Sequence, residues 1–450
     1  MQSSALTRIL TTVLSKYAVK DKLIAQTYDG ASTMKERING VQAQMRQEYP
    51  YAHFVHCYAH QLNLIMEQAC AKHNRQCKVF FANLSAFAVF FSSSTKRAAA
   101  LDEYCPVRVP RAAPTRWNFN SRTVNTVYEN RDALLKCLTA IRDGLPEDDH
   151  DDEQEEDEDN QEHIDYLRDA KTINEAAGLI KWLTGDSFLF LLQFFHTVMP
   201  HVDILYAILQ KRKISVDEVN KQVETFMKEI RNMRSSIDSM SFDQNEDEPP
   251  SKRRRTDVES IKRACKEACD IMIVQAADRF SSVGNLVPLQ LVDPNLFPSF
   301  AKEFPTEKLA LVTELYPMVV KEKLRTELTV LYSRDEFQTA KSSLTLLQFL
   351  IENNLCHTFS EVCLLLEISL TTPLVSAESE RCFSTLNRIK TFLRNTMTND
   401  RLNALAALSI QKDMIRDMAT FNQRVIDKFA TSKNRRADFL YKTCARADDE

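Results

Sequence analysis

The stretch SAESERCFSTLNRIKTFLRN, residues 376–395, decides the fold prediction for this chain. It places two carboxylates, Glu378 and Glu380, directly ahead of an amphipathic run. Acidic side chains in a first turn stabilise a helix N-terminus, and apolar residues three or four apart form one buried face. The pattern predicts a helix with acidic groups at its start and one apolar stripe behind them, made of Phe383, Leu386, Ile389 and Leu393.

The overall composition indicates a helix-rich globular chain. Its 450 residues allow about three domains by the usual length relation. A hydrophobic content of 44% and a charged content of 27% are ordinary for a soluble protein, and only 6 Gly and 14 Pro favour helix over turn-rich β structure. The 11 Cys have no regular spacing and no secretory leader pattern is seen, which predicts a reduced intracellular compartment.

The charge of the chain is divided unevenly along its length. Residues 147–159 read EDDHDDEQEEDED and contain 11 acidic side chains. Without that run the chain has 58 basic and 51 acidic residues, a net charge of +7. A mildly basic body is compatible with a nucleic-acid partner. The longest apolar run, near residues 188–195, is shorter than a bilayer requires, so no membrane partner is expected.

The N-terminal part of the chain shows an alternation of helix and strand patterns. Apolar spacing predicts helices over residues 5–18 and 32–49, and from His60 to about Phe91. Short apolar runs predict strands over residues 23–28 and 52–56. This β-α-β-α order is typical of an α/β domain. From about residue 118 to 337 the pattern is mostly helical, and apolar residues become dense again from Ser342 onward.

Asp29 follows directly after the first predicted strand and precedes Gly30 and Ala31. A carboxylate at the carboxyl end of a strand is a common metal or substrate ligand in α/β domains. The alternative is an Asp that only turns the chain into the helix starting at Ser32. Taken alone, the turn is the better interpretation.

Four possible metal ligands lie within eight residues: His53, His56, Cys57 and His60. Cys57 and His60 have the C-x2-H spacing of metal sites. A structural zinc site usually needs a second pair of ligands, and none with a matching spacing is present. A cluster at a helix start near an active site is therefore the better interpretation.

Two further motifs point to nucleic acid. Arg116 and Trp117 follow a proline-containing turn, and such a pair can hold a phosphate and stack on a base. A core tryptophan beside a surface arginine is an equally good alternative. The basic cluster Lys252, Arg253, Arg254 and Arg255 is typical of nuclear import or nucleic-acid contact, although such clusters also occur in ordinary solvated loops.

Three segments together resemble the hAT superfamily of DNA transposases, in particular the transposase-like region of zinc finger MYM-type and THAP-type proteins. They are QTYDGASTM…NGVQ (26–42), FVHCYAHQLNL (54–64) and PLVSAESERCFSTLNRIKTFLRNTM (373–397), and PTRWN (114–118) is a weaker fourth. The third segment resembles the C-terminal dimerisation segment of that superfamily.

The resemblance implies an α/β, RNase H-like catalytic fold that a large all-α insertion divides. In active relatives three carboxylates bind two Mg²⁺ ions for phosphoryl transfer on DNA. Asp29 resembles the second carboxylate and Glu380 the third. Cys57 and His60 resemble the C-x2-H near the site, and Trp117 resembles the aromatic that stacks on a flipped base.

The expected first carboxylate is not found in this sequence. Asp21, the nearest candidate, lies eight residues before Asp29 at the opposite end of the same strand, on the order of 25 Å away. The first three strands of the fold are also expected to be missing. The chain therefore resembles a truncated RNase H-like fold.

The resemblance divides the chain into four parts. Residues 1–117 form the N-terminal part of the RNase H-like domain. Residues 118–341 form the helical insertion, with an acidic linker at 145–163 and a disordered basic segment at 236–257. Residues 342–414 contain the C-terminal RNase H-like part and the dimerisation region, and residues 415–450 form a basic helical tail.

We expect a nuclear, transposase-derived protein that is catalytically inactive, forms dimers and binds DNA. No cofactor is expected unless the protein is active, in which case it requires Mg²⁺, and no small-molecule substrate is evident. The alternatives are a fragment of an active Mg²⁺-dependent transposase and an interaction protein without DNA affinity. Dimerisation is expected through Phe383, Leu386, Ile389, Leu393, Leu402 and Leu405.

Overall fold

The computed structural model of the protein describes residues 2–110, 117–143, 169–211, 214–240, 252–281, 286–391, 394 and 396–431. The chain divides into two compact units, Met1–Ser376 and Ala377–Glu450. The acidic run at residues 147–159 lies outside the described residues.

The first unit begins with a small α/β arrangement. Strands β1 (Ala25–Tyr28) and β2 (His53–His56) pair in parallel, with Ala25 opposite His53. Helix α1 (Gln2–Leu14) precedes β1, and helices α2 (Ser32–Lys35) and α3 (Val41–Glu48) lie between the strands in the chain. These strands are the only ones among the described residues. Both predicted strands are thus present, each shorter than the sequence pattern suggested.

The prediction of a single helix over residues 32–49 is wrong in its middle, because residues 36–40 separate α2 from α3. The Gly40 amide donates to the Glu36 carbonyl, and a Cβ at Gly40 would lie 2.4 Å from that oxygen. Only glycine permits this close approach, because any other residue would bring its Cβ into the backbone. Val41 and Met45 then pack on a small core with Leu10 of α1.

A helical array follows the sheet. The bounds of its helices are α4 (Tyr58–Glu67), α5 (Arg75–Ser92), α6 (Thr95–Tyr104), α7 (Trp117–Glu129), α8 (Arg131–Asp143), α9 (Ala170–Leu183), α10 (Asp186–Leu209), α11 (Val216–Ser236) and α12 (Lys252–Ser281). The predicted helix from His60 to Phe91 is interrupted by a π-helical turn, Gln68–Lys72, and by Asn74. The Asn74 side chain accepts the Cys77 amide and donates to the Ala264 carbonyl at 2.8 Å, so it caps α5 and attaches it to α12.

Helix α10 has the most apolar sequence of these helices and contributes a row of buried aromatic side chains. Phe195 lies 4.6 Å from Phe81 and 5.3 Å from Phe80 between ring centroids. At 24 residues α10 is long and apolar enough to cross a membrane, unlike the shorter run considered from the sequence, and 56% of its apolar window is buried inside the fold. The bent pair α5–α6, which turns by 104°, would pass the same test if counted as one span.

The basic segment predicted as disordered at 236–257 is helical where the structure describes it. Residue 236 ends α11, a 3-10 turn follows at Ile237–Ser239, and α12 already begins at Lys252. Lysine and arginine are good helix formers, so a basic cluster continues readily into the amphipathic helix that follows it.

The first unit ends with six helices: α13 (Phe297–Phe300), α14 (Thr306–Leu315), α15 (Lys321–Ser333), α16 (Asp335–Gln338), α17 (Ser343–Glu352) and α18 (Ser360–Thr371). A carboxylate on α15 fixes the start of α18. Glu327, 6% exposed, accepts the Glu361 and Val362 amides, both at 2.9 Å. These are two of the amides that a helix start leaves without an intrahelical partner.

The second unit contains α19 (Ala377–Ile389), α20 (Asn399–Ile410), α21 (Lys412–Asp417) and α22 (Phe421–Thr431). The helix predicted from residues 376–395 is present as α19, with Glu378 and Glu380 in its first turn. It packs against α20.

Candidate functional site

The carboxyl ends of β1 and β2 lie side by side. The Cys57 amide donates to the Tyr28 carbonyl at 3.0 Å, so the strands leave the sheet together. Asp29 follows β1 and is exposed, and its Oδ1 accepts the Ala31 amide at 3.2 Å. This bond is the local turn that Asp commonly forms, so Asp29 does direct the chain toward α2.

Two histidines lie close around Gly30. A Cβ at Gly30 would lie 2.5 Å from His60 Nε2 and 3.0 Å from His56 Nε2. The two imidazole centroids are 5.8 Å apart. Glycine is therefore required sterically, because any side chain at residue 30 would displace one of the rings.

His56 is held in its neutral form. Burial, followed by repulsion from His60, Lys35 and Arg279, lowers the pKa of His56 to about 4, and Asp29 opposes this shift. The Nε2 atom of His56 is buried and has no hydrogen-bond partner within the described residues. A neutral imidazole thus lies beside Asp29 at the end of the sheet.

Cys57 is fully buried and contacts the segment that follows α18. Its Sγ accepts the Ser376 amide at 3.3 Å and the Ser376 hydroxyl at 3.2 Å. The Leu374 carbonyl accepts the Tyr58 amide at 3.0 Å, and the Thr27 hydroxyl donates to the Pro373 carbonyl. Residues 373–376 are therefore attached to both strand ends.

The C-x2-H spacing does not form a shared site, because Cys57 faces Ser376 while His60 faces Gly30. Among the described residues no group of three His, Cys, Asp or Glu side chains could hold a metal ion. Mg²⁺ requires oxygen ligands, and the side chains next to Asp29 offer imidazole nitrogens instead. The donor set described here does not fit a Mg²⁺ pair.

Glu380, the expected third carboxylate, belongs to the second compact unit, whereas Asp29 belongs to the first. Glu380 lies in the first turn of α19. Its neighbour Glu378 accepts Arg381 Nε at 3.0 Å, an i,i+3 ion pair on the same helix. The acidic start of α19 thus has a local structural role through the helix dipole and this pair.

Of the residues predicted to contact DNA, only Arg116 lies outside the described part of the chain. Arg116 is not described, Trp117 is the first residue of α7, and Lys252–Arg255 form the first turn of α12. Nothing is described of the side chains of Trp117 or of these four basic residues. Four cations in the first turn of a helix oppose its dipole.

Within its described residues, 377–391, 394 and 396–431, the second unit has almost no large buried side chains. Its buried side chains, among the described residues, are all small: Ala377, Thr385, Ala406 and Ala430. By contrast, seven large apolar side chains are exposed, namely Phe383 66%, Leu408 47%, Met414 58%, Met418 40%, Val425 49%, Ile426 40% and Phe429 48%. Helices this short depend on the packing of an apolar face for their stability.

The residues predicted for dimerisation lie within this unit. Phe383 is exposed, and Leu386, Ile389, Leu402 and Leu405 are partly exposed. Leu393 lies outside the described residues. Every described member of the predicted set therefore retains apolar surface that a partner could bury.

Residues 327–414 match the model of the hAT family C-terminal dimerisation region. This part of the chain is thus similar to the C-terminal dimerisation region of hAT-family transposases. The match begins at Glu327, whose carboxylate anchors α18, and ends at Met414 in α21. The exposed apolar surface of α19 and α20 therefore coincides with a region that serves dimerisation in this family.

His56 and Gly30 were not singled out from the sequence as a functional pair. The signal was weak, because His56 is one of four possible ligands in a short segment. Gly30 is one of only 6 glycines in the chain. Because glycine is so rare here, its presence indicates a special backbone or packing requirement at that position.

Proposed function

We propose that this chain is a hAT-transposase-derived protein that forms dimers through its C-terminal unit and does not carry out DNA strand transfer. The observation that supports dimerisation most strongly is the missing core of residues 377–431, within and next to a matched dimerisation region. A set of helices whose large apolar side chains are all partly or fully exposed needs a second surface to bury them.

The apolar surface is large enough for a stable dimer. Full burial of one large apolar side chain contributes about 1.5–3 kcal/mol. The seven exposed side chains are each roughly half accessible, so covering them on two copies contributes on the order of 14 kcal/mol. The loss of translational and rotational freedom on association costs about 4–15 kcal/mol. At the lower end of that cost the balance reaches the roughly 8 kcal/mol that a micromolar dissociation constant requires.

A charge placed in this surface tests the proposal. Phe383→Asp should weaken the dimer at least tenfold in sedimentation equilibrium, because the carboxylate would be buried without a partner. Ile204→Asp, at a 57% exposed position on α10, is the matched control and should leave the dimer unchanged. Equal dimer affinity in both variants would contradict dimerisation through α19.

We also propose that the chain does not cleave DNA. The support is the donor set at the sheet end, where a turn-forming Asp29 and a neutral His56 replace a cluster of carboxylates. A Mg²⁺-dependent strand-cleavage assay on duplex DNA should give no product. Cleavage that Glu380→Gln abolishes and Glu378→Gln retains would show an active enzyme instead.

The proposed fold of the first unit is RNase H-like. In the parallel pair, Gln26 and Tyr28 exchange backbone hydrogen bonds with β2, so the N–H and C=O groups of Ala25 and Thr27 point to the opposite edge of β1. A groove of about 510 Å³ lies at the start of that edge, and Leu364 and Ile368 of α18 also line it. A two-stranded sheet is marginal by itself, and this edge can accept another strand.

An open β1 edge is testable by amide hydrogen exchange. The amides of Ala25 and Thr27 should exchange faster than those of Gln26 and Tyr28, which bond to β2. In an experimental structure, any strand that pairs with this edge should run parallel to β1. A helix or an antiparallel strand at that edge would contradict the RNase H-like proposal.

DNA binding is proposed at the start of α12. The support is the basic cluster Lys252–Arg255, whose four positive charges at the start of α12 are of the kind that neutralises DNA phosphates. The slope of log DNA affinity against log salt concentration should decrease in magnitude by about 1 for each phosphate-contacting cation that is removed. The double variant Arg253→Ala with Arg254→Ala should therefore decrease it by about 2. Lys78→Ala, exposed on α5, is the control. A slope near zero in the wild type would contradict DNA binding, and a role in protein interaction would be the remaining alternative.

The same basic cluster is proposed to direct the protein to the nucleus. A fluorescent fusion of the intact chain should accumulate there. Replacement of Lys252–Arg255 by alanine should redistribute it to the cytoplasm, and an unchanged distribution would contradict the proposal.

A further inference from the structure

Two cysteines lie together at the turn between α17 and α18. The turn begins at Asn354, whose φ of 56° is left-handed, and it ends at Phe359, the residue before α18. Cys356 lies within this turn and packs against the buried core. Cys363, the fourth residue of α18, belongs to that core and is 6% exposed. The turn therefore brings a second thiol to a buried one.

The two thiols are in contact with each other. The Cys363 thiol donates a hydrogen bond to the Cys356 sulfur, and neither cysteine takes part in a disulfide. A disulfide requires two sulfurs that can approach each other without a large movement of the backbone. Two thiols in hydrogen-bond contact, one of them in a turn outside regular structure, meet that requirement.

The two thiols differ in their access to solvent. Cys356 and Cys382 are the two cysteines among the described residues that are not buried. Burial, followed by the contact with Cys356, raises the pKa of Cys363 to about 12. Because the thiolate is the reactive form, a buried and protonated Cys363 does not react with solutes by itself. A solute oxidant therefore reaches Cys356 first and finds Cys363 behind it.

We propose that Cys356 and Cys363 form a redox-sensitive pair that a hydroperoxide converts into a disulfide. The Cys356 thiolate, its proton released to solvent, attacks the hydroperoxide. An S–O bond forms, the O–O bond breaks, and the departing oxygen group takes up a proton, which leaves a sulfenic acid at Cys356. The Cys363 sulfur then attacks that sulfur, so the S–S bond forms and the S–O bond breaks. The departing hydroxide takes the Cys363 proton and leaves as water. The two sulfurs lose two electrons in total, and the peroxide bond gains them.

The disulfide would connect the turn to the start of α18. Glu327 already holds this start to α15, because its carboxylate accepts the Glu361 and Val362 amides. A cross-link from Cys356 to Cys363 restricts the opening of the same turn from the other side. The amides of Glu361 and Val362 should therefore exchange with solvent more slowly in the oxidised protein than in the reduced protein.

Peptide mapping of the intact protein tests the inference. Both cysteines lie on one tryptic peptide, residues 342–381, which contains no other cysteine. The folded protein is treated with hydrogen peroxide, unfolded in the presence of an alkylating agent and digested. The peptide should resist alkylation at both cysteines and weigh less than the reduced, unalkylated peptide by the mass of two hydrogen atoms. Dithiothreitol added before alkylation should restore both alkylated thiols.

Three serine variants assign the roles of the two thiols. Cys363→Ser should retain the sulfenic acid at Cys356, which dimedone traps as a covalent adduct. Cys356→Ser should leave Cys363 reduced after the same treatment, because burial protects it. Cys382→Ser removes the other partly exposed thiol and is the matched control, with an unchanged yield of the disulfide peptide. Circular dichroism of each variant verifies that it is folded.

Other products would overturn the inference. Alkylation of both thiols after peroxide treatment would show two cysteines that only fill space in the fold. A disulfide from either thiol to a different peptide, or to the same peptide of a second copy, would show that the contact is not the reactive one. A wild type that stops at a sulfinic acid on Cys356 would show that Cys363 does not resolve the sulfenic acid. None of these results depends on whether the protein dimerises.

Discussion

Glu327 offers a direct test of how the matched region is held together. Its carboxylate lies on α15, is 6% exposed and accepts the Glu361 and Val362 amides in the first turn of α18 at 2.9 Å each. Glu327→Ala removes both acceptors and leaves two buried amides without partners. Bonds to a charged group contribute about 1.5–3 kcal/mol each, and the desolvation of the carboxylate offsets part of that sum. We expect the alanine variant to lose about 2–4 kcal/mol of unfolding free energy.

Glu327→Gln separates the hydrogen bonds from the charge. The amide oxygen of glutamine can accept the same two N–H groups, while the buried charge is removed. Burial raises the pKa of Glu327, which shows that the interior disfavours its ionised form. The glutamine variant should therefore remain within about 1 kcal/mol of the wild type. Urea unfolding of both variants gives the comparison.

The pH dependence of this comparison has a defined sign. The pKa of Glu327 in the folded protein is above its ordinary value. Its contribution to the free energy of unfolding is therefore fully present below the ordinary pKa, and it is lost as the pH rises through the pKa of the folded state. The wild type should therefore lose stability relative to the glutamine variant as the pH rises. Glu336→Ala, with a 64% exposed side chain, is the control and should cost less than about 1 kcal/mol. Equal stability of the alanine and glutamine variants at Glu327 would refute the proposed anchoring of α18.

Three further predictions concern the first unit. Gly30→Ala should cost about 1–3 kcal/mol in urea unfolding, because its Cβ would displace His60, whereas Gly178→Ala, with open space around the new Cβ, should stabilise its helix by up to about 1 kcal/mol. Because the pKa of His56 is lowered, the free energy of unfolding should decrease as the pH falls from 6.5 to about 4. This decrease should be smaller in His56→Leu, and identical pH profiles of the two proteins would contradict the lowered pKa. Asn74→Ala should cost about 2–3 kcal/mol in thermal unfolding, since it loses both the cap of α5 and the bond to α12, and Ser94→Ala, a cap with a single 3.4 Å bond, should cost less.

Local sequence patterns predicted the elements that depend on local chemistry. The acidic start and apolar stripe of residues 376–395 correctly gave α19, and the apolar runs before Asp29 and Cys57 gave β1 and β2. The break between α2 and α3 was missed, because the apolar spacing continues across Gly40. The close approach of that glycine to the Glu36 carbonyl is visible only in three dimensions.

The contacts of the candidate site could not be predicted because they join distant parts of the chain. Thr27 contacts Pro373 across 346 residues, and Cys57 contacts Ser376 across 319. The sequence indicated that Cys57 and His60 lie at a helix start, but not that their side chains face different neighbours. Likewise, apolar periodicity predicted the stripe on α19 without indicating whether the chain buries it. The exposure of Phe383 supplied that information.

Residues 377–431 are proposed to need a second copy of the chain to bury their apolar side chains. Sedimentation equilibrium of the intact wild-type protein at micromolar concentration tests it most directly. We expect a species of twice the 51.8 kDa chain mass that dissociates on dilution. A single species of 51.8 kDa throughout that concentration range would contradict it.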